Sequence, residues 1–173
     1  MHNPGKYNLS LRILHWVLAF AIVGALISGF VMTSYLVPPL KFVVYGKHKA
    51  IGMTIGALML IRLVIRMFFG APKSQFSRLE TILLHVVHSL LYVLTIGAAF
   101  SGYLMSCSGG KAVSWFGIFE FPLLFPQNPD IAKTAHDAHQ VIIYLLACLI
   151  ALHILATLKH LIIDRENIFR RIF

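Results

Sequence analysis

The stretch AHQVIIYLLACLIALHILATL, residues 138–158, has no Asp, Glu, Lys or Arg and carries one histidine towards each end. A bilayer core of ~30 Å requires about 20 helical residues at ~1.5 Å each, and the stretch meets that length. His139 and His153 stand 14 residues apart. That separation is ~21 Å of rise and about 1400° of turn, close to four full turns. Both histidines therefore project from one face of a membrane-spanning helix, at opposite depths.

The rest of the chain has the same character. Of 173 residues, 58% are hydrophobic and 12% charged, where a soluble domain is ~25% charged. This excludes a disordered tail, a collagen-like fibre and a secreted disulfide scaffold. Cys107 and Cys148 lie far apart, and no Cys-x-x-Cys-His run offers covalent c-type haem attachment. Four apolar segments, about 11–33, 48–69, 81–105 and 136–163, predict an all-α membrane protein. The expected architecture is a bundle of four transmembrane helices forming a single domain over residues 1–173. The first segment is longer than a signal-peptide core and no Ala-x-Ala-like site follows it, so it is expected to be retained.

The net charge of +9 does not point to nucleic acid, because the basic residues flank the apolar segments instead of forming a stripe. The N-terminal arm, the end and aftermath of the second segment, and the C-terminal tail hold Lys6, Arg12, Arg62, Arg66, Lys73, Arg78, Lys159, Arg165, Arg170 and Arg171. The opposite side holds Lys41, Lys47, Lys49, Lys111 and Lys133. The excess predicts that both termini are cytoplasmic. Pro38-Pro39 ends the first helix in the short connection from Tyr35 to Lys47. The one long connection, Cys107 to Ala135, is rich in Trp and Phe and is expected to roof the bundle at the outer boundary.

Seven of the nine histidines fall within or beside the spans: His15, His48, His85, His88, His139, His153 and His160. Ionisable side chains in a membrane are costly and point to function. His48 opens the second span level with His139, and His15 opens the first span level with His153. Two facing pairs, one above the other, match bis-histidine ligation of two haems, His48/His139 outer and His15/His153 inner. Zinc would require one tetrahedral cluster with Cys, Asp or Glu close by. Arg62 follows His48 by the same 14 residues and so shares its face one layer inward. It is either the partner of an inner haem propionate or a snorkelling cation. His88 and His85 begin the third span on the inner side. Each is a rival to His15 as a ligand, a propionate or quinone contact, or an interfacial histidine. His160 lies ~10 Å beyond His153 on nearly the same face, placed for proton delivery or facing solvent. His136 and Asp137 read as the start of the fourth helix.

The combination of Leu14-His15-Trp16, His48 with Ile61-Arg62-Leu63-Val64-Ile65-Arg66, His85-Val86-Val87-His88-Ser89-Leu90-Leu91-Tyr92, and His139 to Leu152-His153 resembles the bacterial cytochrome b561 family over nearly the whole chain. The resemblance implies two b haems in a multi-pass protein of the bacterial inner membrane, with His15, His48, His139 and His153 as axial ligands of the haem iron. The short four-helix members include superoxide oxidases, which take electrons from superoxide on the periplasmic side and reduce ubiquinone. His160 matches a position implicated in quinone reduction there. The extra His136 beside His139 departs from the family pattern.

The leading expectation is therefore an oxidoreductase passing electrons from superoxide to ubiquinone across the membrane, with the five outer lysines attracting the anion. The alternative is a cytochrome b electron-transfer subunit whose long loop docks a periplasmic dehydrogenase or cytochrome. A third reading, a His-lined metal or proton transporter, requires no haem.

Overall fold

The computed structural model describes residues 6–72, 76–166 and 168–172; Lys73, one of the cations counted above, lies outside them. The chain forms α1 (Leu9–Ser34), α2 (Leu40–Phe69), α3 (Arg78–Ser108), a hairpin of β1 (Val113–Trp115) and β2 (Phe119–Phe121), and α4 (Pro129–Ile162). A short 3-10 turn, Ile168–Arg171, ends the described chain. All four α-helices are long and apolar enough to cross a membrane, as the sequence led us to expect. The chain runs up and down, so both termini share one end of the bundle (the terminal end) and the hairpin covers the other.

α1, α3 and α4 begin before their apolar segments because local capping sets those starts. Asn8 accepts from the Ser10 amide at the start of α1. Ser77 and Glu80 form a reciprocal capping box on α3. Asn128 accepts from the amides of Asp130 and Ile131, with Pro129 in the first turn of α4. The fourth helix thus starts two turns before the expected place. His136 and Asp137 lie inside it, and Asp130 is the acid that meets its N-terminal dipole. α2 begins at Leu40 directly after Pro39, without a side-chain cap, so Lys41 and Lys47 stand on a helix and not in a connection.

Backbone contact runs from α1 to α2, α2 to α3 and α3 to α4, and among the described residues no comparable seam joins α1 to α4. The protein-filled core is correspondingly thin. Leu18, Ile55 and Met59 form one buried cluster with Tyr92 and Ile96 against it. Much of the remaining apolar surface faces outward, including Phe20 at 73% exposed, Phe68 at 81% and Tyr144 at 75%. Acyl chains are the solvent that makes such a surface stable. Where α2 and α3 cross, glycine is required: a Cβ on Gly56 would stand 2.9 Å from the Cβ of Ala99.

The long connection folds into a hairpin that the sequence did not reveal. Phe116 and Gly117 take positive φ values of 51° and 78°, and the Ile118 amide donates to the Trp115 carbonyl at 2.9 Å. The hairpin is pinned to the bundle by Trp115 Nε1 donating to Thr54 Oγ1 at 3.0 Å and by the Tyr103 hydroxyl donating to the Pro122 carbonyl. Val113 packs with Tyr103 and Cys107 in a second buried cluster beneath it. At the terminal end the C-terminal segment folds back on α1, with Trp16 Nε1 donating to the Ile172 carbonyl at 3.2 Å. Arg66 lies over the Tyr7 ring at 5.1 Å there.

The α2–α3 crossing yields a direct comparison. Gly56→Ala forces the helices apart and should cost about 1–3 kcal/mol, lowering the melting temperature in detergent. Gly24→Ala, which meets nothing within 4 Å, should leave it unchanged.

Candidate functional site

Two cavities lie between the helices, one above the other. The one nearer the hairpin, of about 280 Å³, is lined by His48 and His139 together with Gly29, Gly52 and Gly102. The one nearer the termini, of about 350 Å³, is lined by His15 and His153 with Arg62, His88 and Tyr92. Each histidine pair anticipated from depth therefore shares one apolar chamber.

In the hairpin-end chamber the hydrogen bonds fix the tautomers. His139 Nδ1 is 3.0 Å from the Ala98 carbonyl, which can only accept, so this nitrogen carries the proton. Ser101 Oγ lies 3.0 Å from the same nitrogen. Across the bundle, Ser28 Oγ donates to the Ala25 carbonyl at 3.0 Å, and with its single proton so engaged it accepts from His48 Nδ1 at 3.1 Å. In both rings Nε2 is left with a free lone pair, the state in which an imidazole binds a metal. The following glycine makes room for each ring. A Cβ on Gly29 would press on His48 Cε1 at 3.3 Å, and one on Gly102 on His139 Cε1 at 3.3 Å.

Ser28-Gly29 on α1 and Ser101-Gly102 on α3 are thus two copies of one seat, each holding a histidine of the next helix. Neither serine was among the residues expected to act. The repeated Ser-Gly dipeptide, each on the helix before a histidine-bearing one, was the available signal. His136 also borders this chamber, but it is exposed and leans on its neighbour Asp137 at 3.3 Å, with no such seat. Of the two nearby histidines, His139 is the one seated in the bundle.

The terminal-end chamber is built differently. Arg62 Nη1 lies 3.3 Å from His15 Nδ1, and because a guanidinium only donates, Nδ1 accepts. The Arg62 Nε is buried without a partner, and its guanidinium stands 5.8 Å from the Tyr92 ring. His88 donates Nδ1–H to the Leu84 carbonyl at 2.6 Å and sets its ring edge-to-face on His153, with centroids 5.4 Å apart at 81°. Those two rings are already in contact and leave no slot between them, so His88 flanks His153. His85 is exposed, bonds the Thr81 carbonyl of its own helix at 2.7 Å and lines neither chamber. His160 lies one turn past Thr157 and Leu158, which do line the terminal-end chamber, but is not itself part of the lining. Among the described residues no cluster of three or more His, Cys, Asp or Glu could hold a bare metal ion.

The prokaryotic cytochrome b561 family profile matches residues 6–173. The chain belongs to that family. It is also similar to cytochrome b561 homolog 2 of Escherichia coli (strain K12), at 27% identity over 178 residues covering 98% of this chain and 92% of the relative. The family binds haem b and carries out transmembrane electron transfer, and its members are multi-pass proteins of the inner membrane.

The residues present fit such a group. The free Nε2 lone pairs of His48 and His139 in an apolar chamber suit a haem iron, and the glycine seats leave those rings room; at the terminal end the unpartnered Nε of Arg62 is a donor for an acid. Gly102→Val should push His139 out of its seat and lower the haem bound per polypeptide, measured as the pyridine haemochrome. Gly24→Val, on the same bundle but away from both seats, should leave haem content unchanged.

Proposed function

We propose that the protein is a superoxide:quinone oxidoreductase, taking electrons from superoxide at the hairpin end and reducing ubiquinone near the terminal end. The observation that carries this reading is the alignment of two histidine-lined chambers along the bundle, one for each half of the membrane. When bound, a b haem in each chamber supplies a one-electron carrier. His48 and His139 would hold the one nearer the hairpin, and His15 and His153 the one nearer the termini. Arg62 would pair with a propionate carboxylate and so release Nδ1 of His15, while His88 packs beside His153 as a haem or quinone contact. The overall reaction balances as two superoxide anions, one quinone and two protons giving two dioxygen molecules and one quinol.

The donor side is supported by charge. Lys49 lines the hairpin-end chamber, and Lys41, Lys47, Lys111 and Lys133 stand at the same end of the bundle. A positive rim raises the encounter rate of a small anion and does so less as salt increases. The excess of Lys and Arg at the other end supports a cytoplasmic location for both termini. His160 is there to pass protons to the quinone.

A second reading, an electron-transfer subunit fed by a periplasmic dehydrogenase or cytochrome, is favoured by the hairpin tip. Ile118 is 72% exposed and Leu124 68%, an apolar surface available to a partner.

Stopped-flow absorbance separates the two. Oxidised protein in detergent mixed with superoxide should show rapid reduction of the haem bands, slowing with added salt, and reoxidation when ubiquinone is supplied. Haem bands that do not respond to superoxide would leave the subunit reading in its place.

A further inference from the structure

We infer that Asp164 is the positioning residue of a carboxylate–imidazole dyad with His160, which supplies protons to the quinone as it is reduced. This rests on the quinone-reducing reading above and adds the residue that makes His160 able to serve it.

The last turn of α4 is shaped to form the pair. Arg165 takes a φ of 57°, and the Glu166 amide donates back to the His160 carbonyl at 2.9 Å, so the chain folds over itself just past the helix. Asp164 follows His160 by four residues, about one helical turn, and this spacing brings its Oδ2 to 2.7 Å from His160 Nδ1. A carboxylate accepts, so Nδ1–H donates, and Nε2 is the nitrogen left to exchange protons with a third group. The His160 side chain is only 16% exposed, and its ring plane is held by the Phe76 ring at 4.7 Å and 30°. This is not the solvated histidine that its place beside Lys159 would give by default.

The surrounding charges keep the carboxylate ionised. Lys159 Nζ reaches the same Oδ2 at 2.7 Å and Glu80 Oε1 of α3 at 3.8 Å. Arg171 of the C-terminal turn lies over the Phe76 ring at 5.6 Å. The hydrogen bond from Lys159, with that of His160 added, holds the Asp164 carboxyl below its ordinary range. Asp164 is therefore an anion throughout the neutral range and does not itself relay a proton.

The chemistry follows from that charge. Reducing a quinone takes two electrons, here from two superoxide anions, and two protons. In each transfer an N–H bond at Nε2 of the imidazolium breaks and an O–H bond forms on a quinone oxygen. Water at the terminal face then returns the proton to Nε2. Asp164 holds the ring in the orientation that presents Nε2 and stabilises the cation before transfer. His160 lies about one turn below Thr157 and Leu158, which line the terminal-end chamber, where protons from water and a quinone from the membrane can meet.

The test uses the haem-loaded protein, reduced beforehand with stoichiometric dithionite and mixed with ubiquinone-1 across the neutral pH range. Asp164→Asn should keep the haem spectrum yet slow reoxidation about tenfold near neutrality, a share of the gain a general acid gives. The deficit should widen towards alkaline pH, where a proton is hardest to supply to the quinone. Asp164→Glu should restore both rate and profile. An Asp164→Asn protein that matches wild type at every pH, or one slowed equally at every pH, would overturn the dyad. A wild-type protein that ubiquinone-1 does not reoxidise would instead remove the quinone reading, and the dyad with it.

Discussion

What the Nδ1 atoms of His48 and His139 do determines the rest of the site. An imidazole in an apolar interior needs a partner for each nitrogen, and the protein supplies one for Nδ1 only. A carbonyl or a serine hydroxyl takes that proton, which leaves Nε2 basic, unpartnered and directed by a ring that cannot turn freely. The requirement then propagates outward. The serine must be followed by glycine so that the ring fits against the helix, and the histidine must come from the adjacent helix at the same depth.

The arrangement at the terminal end is less symmetrical, and the asymmetry is chemical. There the buried cation Arg62 stands against His15, which suits a layer that must neutralise an acidic group. The hairpin-end layer instead has lysine among its lining residues and uncharged hydrogen bonds behind its rings. One end of the bundle thus has a buried guanidinium among its lining residues, the other a lysine ammonium. That no seam comparable to the others joins α1 to α4 among the described residues belongs to the same design. Helices that closed fully on one another would fill the chambers with side chains, and the protein instead presents much of its apolar surface to lipid.

Much of this was legible in the residues. Four apolar segments of spanning length gave the bundle, because a bilayer leaves the backbone no other way to satisfy its polar groups. The 14-residue interval from His139 to His153, repeated from His48 to Arg62, placed the layers. The helix ends were read poorly, since capping by Asn128-Pro129-Asp130 extends α4 through polar sequence that hydropathy excludes. The hairpin was missed because three-residue strands carry no usable alternation, and its turn places Phe116, not glycine, at the first positive φ. Asp164 stands four residues after His160, a helical spacing legible in the residues, but it lies just past the apolar span and was passed over as a partner. The serines of the two seats were visible and passed over, since serine in a helix is so often inert.

The most direct test of the two-chamber account is the haem content of purified protein, read as the pyridine haemochrome per chain, in wild type and in His153→Ala. The account predicts two b haems per chain, with bis-imidazole low-spin ferric signals, falling to one when His153 is lost while the hairpin-end signal persists. A single haem in wild type, or an undiminished pair in His153→Ala, would contradict it.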